Sequence, residues 1–352
     1  MAKRGLDERK KKILRALVRT YIQTGEPVGS ERLYSLYRFG VSAATIRNIL
    51  AELEDLGYLA HPHTSAGRVP TDAGYRFYVD TLPNRRPLPA REIEQIQLCL
   101  SAEDSTDKLM MRTSRLLSSI TRNLAIVVTP PMTYLTLKHV EFIKLTSTKI
   151  LAVLISQSGQ VQHKVIKAAE TFSQEELNQA ARYLVATFQG KSLEAIRQEL
   201  RRLMSQERAQ YDRLMKGAIL FCHVSLAGDG EEDKSGAVYL DGASHLMEKP
   251  EFADARRMQD LLKAIEEKNR LMALLSACIH SQTPGLTVRI GRENALEGMQ
   301  DCALIAAPLG YGDVIVGSVG VLGSTRMEYE KAIRIVDCVA KVFGDVLQGF
   351  NA

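Results

Sequence analysis

The sequence predicts an α+β chain: an N-terminal winged helix-turn-helix module, then a mixed α/β body interrupted by a helical insertion. The first sign is a capped helix over residues 43–56, apolar on one face and carrying small polar and basic residues on the other. The second is the Gly/Pro-punctuated segment that follows it, with Arg68 near the expected tip of a hairpin. The third is a change of period after about residue 120, where short β-like runs give way to helical spacing and later return.

Within residues 1–82, Ile13, Leu14, Leu17, Val18, Tyr21 and Ile22 form an apolar stripe at helical spacing, closed by Gly25. Gly29-Ser30 opens a second, short helix that runs through Tyr37. In the third helix Ser42 is positioned to accept from a free first-turn amide, and Ile46, Ile49, Leu50, Leu53 and Leu56 make the buried stripe before Gly57 stops it. The opposite face presents Ala44, Thr45, Arg47, Asn48 and Glu52. Such a face, taken alone, is that of a solvated surface helix. The order of short helix, turn, capped helix and hairpin points instead to reading of duplex DNA, with contacts near the N-terminus of the third helix. The expected DNA-binding residues are Ser42, Ala44, Thr45, Arg47 and Asn48 on that helix, and His63, Thr64, Ser65 and Arg68 in the wing.

Charge follows the same division. Residues 1–86 hold fifteen Lys and Arg against nine Asp and Glu, a net +6, whereas the remainder holds 31 against 32. A basic module on a nearly neutral body suits a duplex binder, because each neutralised phosphate releases condensed counterions. Lys3, Arg4, Arg9, Lys10, Lys11 and Lys12 lead this cluster, although a solvated helix start would carry the same run.

Leu82-Pro83-Asn84-Arg85-Arg86-Pro87-Leu88-Pro89 can neither continue a helix nor pair as a central strand, so residues 83–104 read as a linker and connecting helix. Helical spacing covers Glu92–Leu100 and Lys108–Leu124, and β-like runs occupy Leu124–Thr129, Leu137–Leu145, Lys149–Ile155 and Val161–Ile166. Ser173 and Glu176 then form a capping box ahead of Leu177, Ala180, Ala181, Leu184 and Phe188. Ser192 caps a further helix with Leu193, Ile196, Leu200 and Leu203. Strand character resumes at Leu286–Ile290, Ala303–Ala307 and Val314–Leu322, before a last helix with Ile333, Val336, Ala340, Phe343 and Leu347 on one face. The expected division is therefore 105–172 for the first part of the body, 173–255 for the helical insertion and 256–352 for the second part. Two-fold symmetric operators need two reading modules related by one axis, and a projecting helical block can supply the self-complementary patch. Leu200, Leu203, Leu214, Ile219, Leu220 and Phe221 are the expected dimer interface, or else the insertion's own core.

Several chemistries are disfavoured. The seven histidines show no metal-ligand spacing, and the five widely spaced cysteines read as reduced thiols in apolar patterns rather than a disulfide frame. Gly310-Tyr311-Gly312 leads into strand-like Val314–Val316, where a phosphate loop would need a helix N-terminus. The acidic run Gly228–Asp233 lacks a calcium loop's ligand positions. No catalytic residue, metal or cofactor is expected. No run reaches the length of a membrane span and no apolar signal core follows the first charges, so the expectation is a soluble cytoplasmic protein.

The run Pro62-His63-Thr64-Ser65-Ala66-Gly67-Arg68-Val69-Pro70-Thr71-Asp72-Ala73-Gly74-Tyr75-Arg76-Phe77-Tyr78-Val79-Asp80, with Glu26–Ser30 and Val41–Asn48 before it and Val238–Ser244 far downstream, closely resembles the HrcA heat-inducible transcription repressors of bacteria. That resemblance implies a winged-helix domain, a GAF-like α/β domain and a dimerising insertion within the latter. It further implies a homodimer that represses chaperone operons at an inverted-repeat operator of double-stranded DNA, with a GroEL-type chaperonin as modulator. The segment Leu33–Phe39 is more aromatic than the family pattern. The alternative function is a repressor whose GAF-like body senses a small-molecule effector. An RNA-binding regulator is disfavoured by the lack of an aromatic stacking platform.

Overall fold

The computed structural model describes residues 6–62, 67–82, 88–101, 106–129, 136–157, 161–168, 171–193, 195–196, 198–199, 202, 236–279, 285–294, 296, 298–311 and 314–351. The N-terminal module begins with α1 (Glu8–Thr24), whose first turn is capped by the Asp7 carboxylate accepting from Lys10 N at 2.7 Å. α2 (Ser30–Leu36) and α3 (Ala43–Asp55) follow, and Leu33, Ile46, Ile49, Leu50 and Leu53 pack with Ile13, Leu14, Leu17 and Val18 of α1. Each such buried aliphatic side chain contributes about 1.5–3 kcal/mol, which is what lets three short helices hold together. The aromatic segment after α2 is partly absorbed by this packing: the Tyr37 and Phe39 rings stack at 5.6 Å, and the Tyr37 hydroxyl lies 3.2 Å from Thr20 Oγ1.

β1 (Leu59–Ala60) pairs antiparallel with β2 (Val69–Pro70). A fourth helix, α4 (Asp72–Asp80), comes directly after the hairpin and was not expected from the sequence. Thr71 starts it, accepting from Gly74 N at 3.3 Å while donating to Gly57 O at 2.6 Å.

The body is a five-stranded antiparallel sheet in the order β7-β3-β10-β9-β8, formed by β3 (Leu124–Val128), β7 (Val238–Asp241), β8 (Thr287–Ile290), β9 (Cys302–Tyr311) and β10 (Val314–Ser324). The period-two alternation of β3 sends Ala125 and Val127 toward Leu117 of α6 (Thr106–Thr121) and Val339 and Phe343 of α11 (Tyr329–Asn351). Leu124, Ile126 and Val128 face the other side, against Leu261 and Ile265 of α9 (Ala255–Glu266) and Leu271 and Leu275 of α10 (Lys268–Ile279). Both faces are covered, which is why β3 is an unbroken apolar run. α5 (Ala90–Leu100) contributes Ile96 and Leu100 to the side that also holds the N-terminal module's core, so one apolar cluster runs from Ile13 to Leu347.

The division of the body needs correction. β4 (Leu137–Lys144), β5 (Lys149–Ser156) and β6 (Val161–Lys167), expected in the first part of the body, form a separate three-stranded antiparallel sheet. Their inward residues Val140, Phe142, Ile150, Ala152, Leu154 and Ile166 pack on Leu177, Ala181, Leu184 and Phe188 of α7 (Gln174–Phe188), in a core that shares no residue with the body's. Among the described residues, the segment after Thr129 thus forms a sheet that shares its own core with α7, beginning ahead of the helical block expected from 173. At its other end Val238–Asp241 pairs with Val128–Ala125, so β7 and the short α8 (Ala243–Met247) belong to the body, not to the expected 173–255. Strand periodicity reports local geometry and not which sheet a strand joins, and the two sheets lie next to each other in sequence.

Candidate nucleic-acid interface

The free face of α3 starts at its cap. Ser42 Oγ accepts from Thr45 N at 3.2 Å and lies 3.0 Å from Thr45 Oγ1, so two of the expected contact residues first hold each other and fix the helix start. Ala44, Arg47 and Asn48 are exposed on the same side. Arg47 has 68 % of its side chain in solvent, and its nearest carboxylate oxygen, on Glu31, is 3.9 Å away. An exposed guanidinium with five donors, held only by the 3.9 Å contact to Glu31 among the described residues and beside a side-chain amide one residue on, can address base edges or phosphates. Glu52, farther along the face, is bound by Lys10 at 2.6 Å, and this hydrogen bond holds the Lys10 ammonium above its usual value.

Arg68 lies on the loop side of the ladder, next to the Ala60–Val69 pair; its Nε donates to Glu54 at 2.7 Å and its backbone exchanges hydrogen bonds with Val28 at 2.9 and 3.0 Å. The Glu26–Ser30 motif thus serves as a third, single-residue partner for the hairpin. Gly67 is needed there because a Cβ would run into the Val28 backbone. His63, Thr64 and Ser65 lie outside the described residues, as do all six expected interface residues, Leu200, Leu203, Leu214, Ile219, Leu220 and Phe221.

Of the basic cluster, Lys10 and Lys11 are drawn into pairs with Glu52 and Glu8, Arg9 and Lys12 are exposed, and Lys3 and Arg4 lie outside the described residues. Sequence reasoning passed over the exposed Arg15 and Arg19, which extend the same α1 surface, and Arg38 before the third helix. Their alternation with buried Leu14, Leu17 and Val18 was the available signal.

A basic helical module with an exposed, cation-bearing helix face, joined by a shared core to a larger mixed body, is an arrangement suited to a nucleic-acid-binding regulator. Comparison with known proteins identifies which kind. A profile of the HrcA protein C-terminal domain matches residues 107–333. The heat-inducible transcription repressor HrcA of Geobacter sulfurreducens is 40 % identical over 98 % of this chain and 99 % of its own, and that of Syntrophobacter fumaroxidans is 36 % identical over 97 % and 98 %. A solved structure described only as a hypothetical protein is 25 % identical, covers 98 % of this chain and 100 % of its own, and superposes with a TM-score of 0.58. The chain belongs to the HrcA family of heat-inducible transcription repressors.

Proposed function

We propose that this chain represses heat-shock (chaperone) genes by binding an inverted-repeat DNA operator as a homodimer. The observation that carries this is the free N-terminal face of α3, where Arg47 and Asn48 stand exposed beside a fixed cap. Three helices followed by a paired hairpin support a winged helix-turn-helix reading, in which α3 enters the major groove. The antiparallel five-stranded sheet with helices on both faces supports a GAF-like body. Because both faces of that sheet are filled by the protein's own side chains, the body is read as a scaffold rather than as a sensor of a small effector.

Pairing is assigned to the insertion, on a surface the sequence did not single out. The face of its sheet opposite α7 carries rows His139–Ile155–Val161, Glu141–Val153–His163 and Ile143–Leu151–Val165. Val161 and Val165 are 61 % and 52 % exposed, and Ile143 is 38 % exposed. An apolar sheet face of this kind suits a self-complementary, two-fold contact with a second copy. The expected modulator is a GroEL-type chaperonin. A repressor stable by only about 5–15 kcal/mol loses active fraction when folding assistance is diverted to heat-damaged clients, and regains it as chaperonin accumulates.

The test is titration of operator and random duplex with purified protein over a range of salt, with and without chaperonin. Specific binding with a steep salt slope, and a rise in active fraction with chaperonin, are expected. Equal affinity for the two duplexes removes the operator reading, and an unchanged active fraction removes the chaperonin.

A further inference from the structure

The N-terminal module does not hang from the body on a tether: α4 grips it. Arg76 Nε donates to Glu293 Oε1 at 2.8 Å, while the second arm of the guanidinium donates to Glu293 Oε2 and, at 2.7 Å, to Val288 O. Glu293 is itself fixed, because its Oε2 accepts from Ile290 N at 2.9 Å. One turn earlier on α4, Asp72 Oδ2 accepts from Arg292 N at 3.0 Å. Its carboxylate fills the space a Cβ on Gly291 would need, and Gly291 holds a left-handed φ of +55° to bring the backbone there.

Between these polar contacts Tyr75, 4 % exposed, packs on Tyr329 at the start of α11, with ring centroids 6.0 Å apart. At the far end of α1, Arg326, ion-paired with Glu251, lies against Gly25 and leaves no room for a side chain on it. Contacts from two helices in different directions fix an orientation as one contact cannot. None of them uses the exposed residues Ala44, Arg47 or Asn48 of α3. Arg76 and Glu293 keep 29 % and 38 % of their side chains in solvent, so the grip is reversible rather than a sealed core.

We propose that Asp72 and Arg76, clamped on Val288–Glu293, are positioning residues that set the angle at which the body presents α3 to DNA. The DNA-reading face stays open while the clamp is closed, so the closed joint is the DNA-competent one. The proposal rests on the operator reading above. In a dimer, a fixed angle at each joint is what fixes the separation of the two α3 helices, and hence the half-site spacing recognised. Releasing the joint leaves each module able to read its half-site but lowers the effective concentration of the second module at the second site.

Two variants test this. Gly291→Ala pushes Asp72 away without altering any charge, and Glu293→Gln weakens the Arg76 fork while keeping an acceptor for Ile290 N. Nitroxides attached through a ketone amino acid at the exposed positions 55 and 345, on chains mixed with an excess of unlabelled protein so that each dimer carries one labelled protomer, report the joint without DNA. The wild type should give one narrow distance distribution, and both variants a distribution about twice as wide or more. Affinity for an isolated half-site should stay within about twofold, while affinity for the full operator falls on the order of tenfold to a hundredfold. The penalty for inserting half a helical turn between half-sites should shrink as well. Unchanged distance widths in both variants overturn the proposal. So do wider distributions with wild-type operator affinity and spacing penalty, and so does an equal loss on half-site and full operator. If the wild type fails to distinguish operator from random duplex, the operator reading falls on that result, while the distance widths still decide whether the clamp holds the joint.

Discussion

Arg47, expected on the reading helix, and Arg68, expected in the wing, differ in how closely a carboxylate holds them: Glu31 is 3.9 Å from the first, Glu54 2.7 Å from the second. Arg47 is a weak 3.9 Å neighbour of Glu31, so Arg47→Ala should leave thermal stability unchanged and cost about 1–3 kcal/mol of operator affinity if it forks onto guanine. Equal losses on operator and random duplex, measured by anisotropy titration at one salt concentration, would show that Arg47 only positions. The exposure of Arg47 was legible because its register against Ile46 and Ile49 puts it on the solvent side. The Arg68–Glu54 pair was not, since nothing local links a residue at the end of α3 to one on the loop side of a hairpin. Glu293 carries the clearest pH statement. Burial pushes its carboxyl up, but hydrogen bonds from Arg76 and from Ile290 N outweigh that and hold it below the usual 4.5. A folded value below the unfolded one gives stability that is fully present above about 4.5 and is lost as pH falls through the lowered value. The joint should therefore show the same distance width at pH 6 and pH 8, and broaden only in more acid solution. Cys302 is buried, and desolvation with Asp301 beside it pushes its thiol up to about 12. It should resist iodoacetamide in the native protein while the partly exposed Cys99 reacts, as peptide mass mapping would report.

Elements announced by side-chain caps were legible, and elements defined by distant partners were not. Ser42 before α3 and the Ser173–Glu176 box before α7 are local devices, and both form the hydrogen bonds their spacing implies. α4 has the same kind of signal in Thr71-Asp72, but the Gly67-Arg68-Val69-Pro70 run just before it marks a hairpin rather than a helix start. β7 is four residues long and takes its place from its register with β3, which lies more than a hundred residues earlier in the chain. The strands β4, β5 and β6 are legible nearly to the residue, but their alternation says only that one face is buried and not that they form a sheet apart from β3. The cap on α3 gives the prediction at this scale. Ser42→Ala removes the acceptor for Thr45 N and frees Thr45 Oγ1, so it should cost about 0.5–2 kcal/mol, read as a lower denaturant midpoint with unchanged slope. Operator affinity should fall with it, because the frayed turn is the one that carries Ala44 and Arg47. Ser42→Asp, which restores the cap, should recover the midpoint; recovery of affinity as well would show that the residue acts through the helix start and not through its own contact with DNA.

At the scale of the whole molecule the proposed function divides the task of reading a symmetric sequence among the parts: on that proposal α3 supplies contacts, the joint an angle, the body an arm, and the insertion a place for the second copy. One apolar cluster runs from α1 through the sheet to α11, so the reading module sits on the body through a packed core as well as through the Asp72 and Arg76 contacts. The open face of the β4-β5-β6 sheet is the part of this scheme most easily removed. Val165 is half exposed and lies in register with Leu151, so Val165→Lys places a charge in the middle of the proposed contact without touching the α7-facing core. The variant should keep its far-ultraviolet dichroism and thermal midpoint, sediment as a monomer at micromolar concentration, and bind a half-site as the wild type does while losing most of its preference for the full operator. On the wild type, inserting about five base pairs between half-sites turns one of them by half a helical turn, and binding should collapse toward the half-site value; inserting a full turn restores the facing and moves the sites about 34–36 Å farther apart. A dimer held by one contact between two inserted sheets, and by two closed joints, should have little give along that axis, so the full-turn operator should recover only part of the lost affinity. Full recovery would mean that the pairing surface or the joint yields by that distance, and a Val165→Lys protein that remained dimeric would place the pairing surface outside this sheet face.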